Sequence, residues 1–322
     1  MNATKALRGL VGPVIVVVVF LLGTRYSPAE VNRPLDPSGT PAGAITWAEE
    51  DWIVLLRTLD AAHAAGHHEL PMGELMAEVG RGLVGTPYVP HTLEAGGMDE
   101  LLVVNLQGFD CVTFIESVFA LSVLIKTDAL ARVGDRGGVE GEFERAVRAV
   151  RYRDNSIDGY ASRLHYFSDW IDDGENKRLL TNVTAALGGD EWNEPVDFMT
   201  THPDSYAQLA DEAVFAAVQQ TERRLSARPM HVIPQDRIAE AAPRIRNGDI
   251  IAATSTIEGL DVAHTGLAVW VDGALHLMHA PLVGDSVEVS SVPLADRIMG
   301  FDGQNGIIVA RALEPRVVGG GR

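Results

Sequence analysis

The chain holds one cysteine and ten histidines, so the first chemistry to consider is a thiol with an imidazole base. Cys111 follows the polar turn Gln107-Gly108-Phe109-Asp110 and opens a nearly continuous apolar run over residues 111–125. That length favours a buried helix over a strand, with Asp110 as its N-cap. A thiol at a helix start meets unpaired backbone N–H groups and the positive end of the macrodipole, which lower its pKa toward the reactive thiolate. The plainer reading is an apolar, buried cysteine that only fills the core. Position alone leaves both open. The single cysteine excludes an internal disulfide framework and any multi-Cys zinc site.

A nucleophilic thiol needs a base, and two histidines stand in β-like sequence. His264 lies in Asp261-Val262-Ala263-His264-Thr265-Gly266 and His279 in Leu277-Met278-His279-Ala280. A short hairpin across Asp272-Gly273 would set the two runs antiparallel and bring these imidazoles side by side at one edge of a sheet. That suits a base held by a second polar group. His276 is three residues from His279 and so belongs on the opposite face. His63, His67 and His68 have a helix-compatible spacing, but only Glu69 stands near them and Gly66 ends the helix. They read as a solvated helix end, and neither metal nor cofactor is expected. A zinc hydrolase built on these or on the strand histidines is a third possibility. His202-Pro203 opens an expected helix through Arg224, where His202 serves either as a cap or as a substrate contact.

These groups need elements to hold them. Apolar spacing predicts helices over 47–64, 75–84 and 111–125, interrupted at Gly85-Thr86-Pro87-Tyr88. From residue 134 to about 228 the chain reads as mostly helical and polar, with an aromatic cluster over 152–170. Beyond Arg246-Asn247-Gly248-Asp249, short β-rich runs at 250–253, 265–271, 275–279 and 307–310 read as an antiparallel sheet. Helices first and strands second give an α+β class, with the cysteine helix packed on the sheet. Residues 45–315 read as one elaborated domain with a helical insertion at about 134–235, preceded by a linker at 30–44 and followed by a tail at 316–322.

The N-terminus reads as an export signal. Lys5 and Arg8 precede an apolar run at 10–23, and Ser27-Pro28-Ala29 offers cleavage after Ala29. The run is short of the roughly 20 residues a membrane span needs. An uncleaved anchor flanked by Arg25 and Tyr26 is the competing reading. No cysteine follows, which excludes a lipoprotein. The expected compartment is therefore periplasmic or extracellular, with membrane attachment only if residues 1–29 are retained. With 26 Lys+Arg against 44 Asp+Glu and a net charge of −18, the surface repels phosphate backbones and no nucleic-acid partner is expected.

Several strings together carry a family likeness. Leu83-Val84-Gly85-Thr86-Pro87-Tyr88, Gly108-Phe109-Asp110-Cys111, His264-Thr265-Gly266-Leu267-Ala268 and Met278-His279-Ala280 resemble the NlpC-type cell-wall cysteine amidases, whose papain-like core puts Cys on a helix and His on the sheet. Arg151-Tyr152-Arg153 and the stretch from Ser162 to Trp170 resemble a narrower, N-acetylmuramoyl-L-alanine amidase-like branch, and the similarity spans about residues 70–312. The resemblance implies cleavage of the amide between muramic acid and L-alanine in peptidoglycan fragments, anhydro-muropeptides in particular. It makes Cys111 the nucleophile, His264 the base and His279 the residue that orients it. Tyr88 corresponds to the tyrosine near the cysteine, and with Asp110 is expected at the substrate. The wider group instead cuts the γ-D-glutamyl–diaminopimelate bond and uses a Ser after Cys to hold a free amine. Val112 stands there in this chain, which disfavours that activity. A non-catalytic muropeptide-binding module, with Cys111 only part of the core, is the remaining alternative. Arg151, Arg153, Arg163, His165 and Tyr166 are candidate contacts to the stem-peptide carboxylates and the sugar, unless the arginines pair with neighbouring aspartates and merely fold the insertion.

Overall fold

The apolar runs after Asp249 do pair, and they recruit strands from earlier in the chain. The computed structural model describes residues 47–94, 96–282 and 285–315, so the expected export signal, linker and tail lie outside the described residues. The eight strands are β1 (Leu180–Asn182), β2 (Asp190–Trp192), β3 (Met230–Pro234), β4 (Ile250–Ser255), β5 (Val262–Val271), β6 (Ala274–His279), β7 (Glu288–Val289) and β8 (Gln304–Ala312). They form one antiparallel sheet in the order β2-β3-β8-β4-β5-β6-β7, with β1 also pairing β8. Asp272 and Gly273, at φ of 48° and 83°, make the tight turn between β5 and β6. Positive φ at both central positions matches the right-handed twist of a hairpin.

The principal helices are α1 (Glu49–Ala64), α2 (Met72–Gly82), α3 (Cys111–Lys126), α4 (Arg136–Arg151), α5 (Phe167–Asn176), α6 (Glu212–Ser226) and α7 (Leu294–Met299). Helix α3 is predominantly apolar and buried along nearly its whole length, as expected of a helix covered on every side. Both faces of the sheet are covered. Ile250, Ala252, Leu267, Val269 and Ile308 share a core with Phe114, Val118, Leu121 and the other helices of the first half. On the opposite face Ile251, Ala253, Ala268, Leu277 and Val309 pack with Leu294 and Ile298 of α7. Period-two alternation is thus satisfied with apolar residues on both sides. Among the described residues no helix is long and apolar enough to cross a membrane.

The α+β class holds, but the division into helices first and strands second does not. β1, β2 and β3 lie inside the stretch read as helical, with Leu180 opposite Ala312 and Ile233 opposite Ile307. Strands of three to five residues display little of a period, and their pairing is supplied from far along the chain, by β8 for β1 and β3 and by β3 for β2. The helix expected from His202 begins instead at Glu212. Asp211 caps it, accepting from Ala213 N at 2.8 Å and Val214 N at 3.1 Å, and short helical turns precede it. His202 stacks on Phe198 at 4.2 Å and puts Nδ1 2.9 Å from Phe198 O, so it closes that turn.

Candidate active site

Asp110 caps α3 as expected. Its Oδ1 accepts from Val112 N at 3.0 Å and Thr113 N at 2.7 Å, while Asp110 N donates to Thr113 Oγ1 at 2.9 Å. The cap fixes the first turn and holds partly buried Cys111 at the end of α3. The opposing wall is β5: Thr265 Oγ1, next in the chain to His264, donates to Cys111 O at 2.8 Å. The Gly85-Thr86-Pro87-Tyr88 turn is clamped on both sides. Gly85 N donates to Val287 O at 2.8 Å, Tyr88 N to Asp285 O at 2.9 Å, and Phe109 N to Pro87 O at 3.0 Å. This pairing sets Tyr88 beside Cys111 and Asp110; burial first, and then the Asp110 carboxylate, push its phenol upward and keep it a hydrogen-bond donor.

The two strand histidines meet as the hairpin requires. His264 Nε2 lies 2.8 Å from His279 Nδ1, with the rings near-perpendicular, and both side chains are buried. Gly266 permits the close strand approach beside them: a Cβ there would stand 2.7 Å from Met278 O and 2.7 Å from Leu277 Cδ1. His276 turns elsewhere and bonds Ser290 O at 2.7 Å.

The electrostatics correct one expectation. Burial pushes the Cys111 thiol up to about 12; the Asp110 carboxylate adds to this, and hydrogen bonds from Thr265 and the cysteine's own N–H partly offset it. The resting thiol is therefore protonated, because desolvation and a neighbouring carboxylate outweigh the helix terminus. Burial, the second imidazole and the Arg297 guanidinium hold His264 well below its usual range. Burial and Arg297 bring His279 down to about 3. The resting site thus combines a neutral thiol at the start of α3 with two neutral imidazoles on β5 and β6.

The cationic stretch of the insertion has other work. Arg151 Nε reaches Glu116 Oε2 on α3 at 2.7 Å, with both side chains buried, and its Nη1 donates to Val103 O at 2.6 Å. Arg163 pairs with Glu94 at 2.6 Å, and Arg153 with Asp169 at 2.7 Å. His165 Nε2 faces Tyr160 O at 2.8 Å, and Tyr166 OH donates to Glu222 Oε1 at 2.7 Å. These five side chains are held by partners within the protein. Arg151 and Arg163 brace the insertion against α3 and the 93–104 loop, whereas Arg153, His165 and Tyr166 tie the insertion to itself, and Arg153 keeps part of its side chain exposed. A cavity of about 200 Å³ lies between α5, β1 and β3, lined in part by Ser168, Asp172, Glu175 and Arg228 and without Cys111. His63 and His68 stack at 6.0 Å, and among the described residues no three His, Cys, Asp or Glu side chains converge as a ligand set.

Residues 78–304 match the N-acetylmuramoyl-L-alanine amidase-like family. The chain belongs to that family. An N-acetylmuramoyl-L-alanine amidase from Bacteroides uniformis is 38% identical, with a TM-score of 0.68 over 75% of this chain and 99% of the other. A Bacteroides fragilis protein described as a candidate xylanase is 37% identical, with a TM-score of 0.63 over 72% and 98%. A Legionella pneumophila protein at 18% identity and a TM-score of 0.57 shares the fold, over 81% of this chain and 95% of the other. No match is found among curated protein sequences. Family membership identifies a peptidoglycan-processing amidase and implies a peptidoglycan or muropeptide substrate.

Three groups of this amidase-like site are not legible as motifs. Thr265 follows the predicted base, and its hydroxyl reads locally as an ordinary strand residue. Glu288 stands opposite His279 in the β6–β7 pairing. Arg297, on the six-residue helix α7, donates to Gln304 Oε1 at 3.2 Å and lies within electrostatic reach of Cys111, Glu288 and both imidazoles. Only the packing of α7 against the sheet brings that charge to the thiol.

Proposed function

We propose that this protein is a cysteine-dependent N-acetylmuramoyl-L-alanine amidase that hydrolyses the muramyl–L-Ala amide of peptidoglycan fragments, anhydro-muropeptides in particular, on a papain-like, NlpC-type core. The observation that carries this reading is the 2.8 Å bond between His264 Nε2 and His279 Nδ1, one residue along β5 from the Thr265–Cys111 bond. With Nε2 engaged, Nδ1 is the nitrogen of His264 left to serve a thiol.

Cys111 gives its proton to His264 Nδ1 as the sulfur attacks the lactyl amide carbon. Val112 and Thr113 N–H are taken by Asp110, so the Cys111 N–H and the Tyr88 hydroxyl are the donors offered to the developing oxyanion. Arg297 adds positive charge where the thiolate and oxyanion form. The His264 imidazolium then protonates the leaving nitrogen of L-Ala, the C–N bond breaks and a thioester remains. Water, deprotonated by His264, attacks the thioester and releases the muramic carboxylate and the free thiol. The apolar Val112 side chain after the nucleophile offers nothing to a free α-amine, which favours a substrate whose L-Ala is still joined to sugar. The N-terminal sequence supports work outside the cytoplasmic membrane, where such fragments arise.

Mass spectrometry of products from a GlcNAc–anhydro-muramyl tetrapeptide tests this reading, with wild type and Cys111→Ala in parallel. Disaccharide plus intact tetrapeptide, from wild type alone, is the expected result. Disaccharide-dipeptide would move the cut to the γ-D-Glu bond, and equal turnover by Cys111→Ala would remove the nucleophile assignment.

A further inference from the structure

The imidazole pair is unfinished at its outer end. His279 is 2% exposed and its Nε2 has no hydrogen-bond partner. The carboxylate facing that nitrogen is Glu288, whose Oε1 lies 3.8 Å away. Glu288 is the cross-strand partner of His279 in the β6–β7 register, and its side chain is about half exposed. A buried N–H without an acceptor costs roughly 1–3 kcal/mol. A separation roughly 0.6 Å beyond hydrogen-bond range is closed by rotation of a half-exposed carboxylate.

The bond between the imidazoles has two possible directions, with opposite consequences. If His264 Nε2–H donates, His264 Nδ1 is bare and able to take a proton, and neutral His279 carries its hydrogen on Nε2, facing Glu288. If His279 Nδ1–H donates, His264 carries its hydrogen on Nδ1 and cannot act as a base, while a bare His279 Nε2 lone pair faces a carboxylate. Negative charge at Glu288 favours the first arrangement and opposes the second. The other charged or titratable groups around the pair are Arg297 on α7, Cys111 on α3, and Asp110 and Tyr88 beside the thiol. Of these, Arg297 disfavours imidazolium, so a carboxylate at the far end offsets it as His264 takes up the proton.

We infer that Glu288 is a positioning residue of this site, fixing through His279 the arrangement in which His264 Nδ1 is free to deprotonate Cys111. The role rests on the cysteine-amidase reading, and the test separates the two. Alkylation of Cys111 by iodoacetamide reports proton removal from the thiol without any peptidoglycan substrate. It is measured from pH 5 to 9 on wild type, Glu288→Ala, Glu288→Gln and, as a control on the same short strand, Val289→Ala, with thermal unfolding recorded for each. Glu288→Ala should be alkylated at least about ten-fold more slowly, since loss of a carboxylate that orients a catalytic histidine is felt in the base itself. Glu288→Gln, which keeps an acceptor but no charge, should fall between, and Val289→Ala should stay near wild type. On the amidase substrate the same loss should appear in kcat with KM little changed. Alkylation of Glu288→Ala at the wild-type rate across the range overturns the inference, as does equal slowing in Val289→Ala. Slowed alkylation in a protein that does not cleave muropeptide leaves Glu288 in its role and removes the substrate reading alone.

Discussion

Two regions bury ionisable groups, and they treat them oppositely. In the insertion the buried cations meet opposite charges, Arg151 with Glu116 and Arg163 with Glu94, and half-buried Arg153 meets Asp169. At the candidate site partly buried Cys111 and buried His264 and His279 are held as neutral groups, Arg297 disfavours charge on the imidazoles, and one nitrogen is left without a partner. Closed pairs hold elements together, because breaking one strands a charge in low dielectric. Neutral groups held beside one another can exchange a proton, which a closed ion pair cannot. The difference marks one region as bracing and the other as reactive.

The contrast predicts where removal of one member will be felt. At the site it should be felt in turnover: His264→Ala should lower kcat by about a thousand-fold or more, measured in the muropeptide assay, with an unfolding midpoint close to wild type. In the insertion it should be felt in stability. Arg151→Met leaves Glu116 buried and uncompensated and should cost about 3–5 kcal/mol in urea unfolding. The double variant Arg151→Met/Glu116→Leu, with no charge left to strand, should recover most of that loss. A large loss of stability in His264→Ala, or none in Arg151→Met, would break the comparison.

The smallest effect sharpens it through pH. His165 is held down to about 3 by burial and by Arg163 and Arg153, alongside His264 and His279. An unfolded chain protonates these imidazoles near 6.5, whereas the folded chain does not until far lower. Between those values the unfolded state binds more protons, so their contribution to stability is complete above about 6.5 and is lost as pH falls toward 3. His165→Gln keeps an N–H for Tyr160 O but removes one titration. Urea unfolding at pH 6, 5 and 4 should then lose about 1.4 kcal/mol less per pH unit than wild type. Parallel slopes for the two proteins would mean that His165 is already charged in the folded state.

Much of the site could be read along the chain because its signals are local. An aspartate before an apolar run caps α3, so the start of the cysteine helix follows from residues 110–113. Asp272-Gly273 makes a tight hairpin turn, and that turn alone brings His264 and His279 to opposite strands near one another. The arginine-rich stretch was legible as a cluster but not in its purpose. Arg151 answers Glu116, 35 positions earlier, and Arg163 answers Glu94, 69 positions earlier, distances at which sequence carries no pairing signal. The short strands β1 to β3 were hidden for the same reason, since their partners, β8 for β1 and β3 and β3 for β2, lie far along the chain.

The sequence by itself determined the α+β class, the capped cysteine helix, the imidazole pair and the likeness to a family of cell-wall amidases. Each rests on spacing within one element or across one turn. Only the tertiary structure decided the charge state of those groups. The helix start argued for a lowered thiol pKa, yet burial and Asp110 raise it. The cation at the site is Arg297 from α7 rather than an arginine of the insertion, and the carboxylate behind the imidazoles is Glu288. Desolvation and Coulomb interaction depend on what surrounds an atom in space, and those surroundings come from strands and helices far apart in the chain.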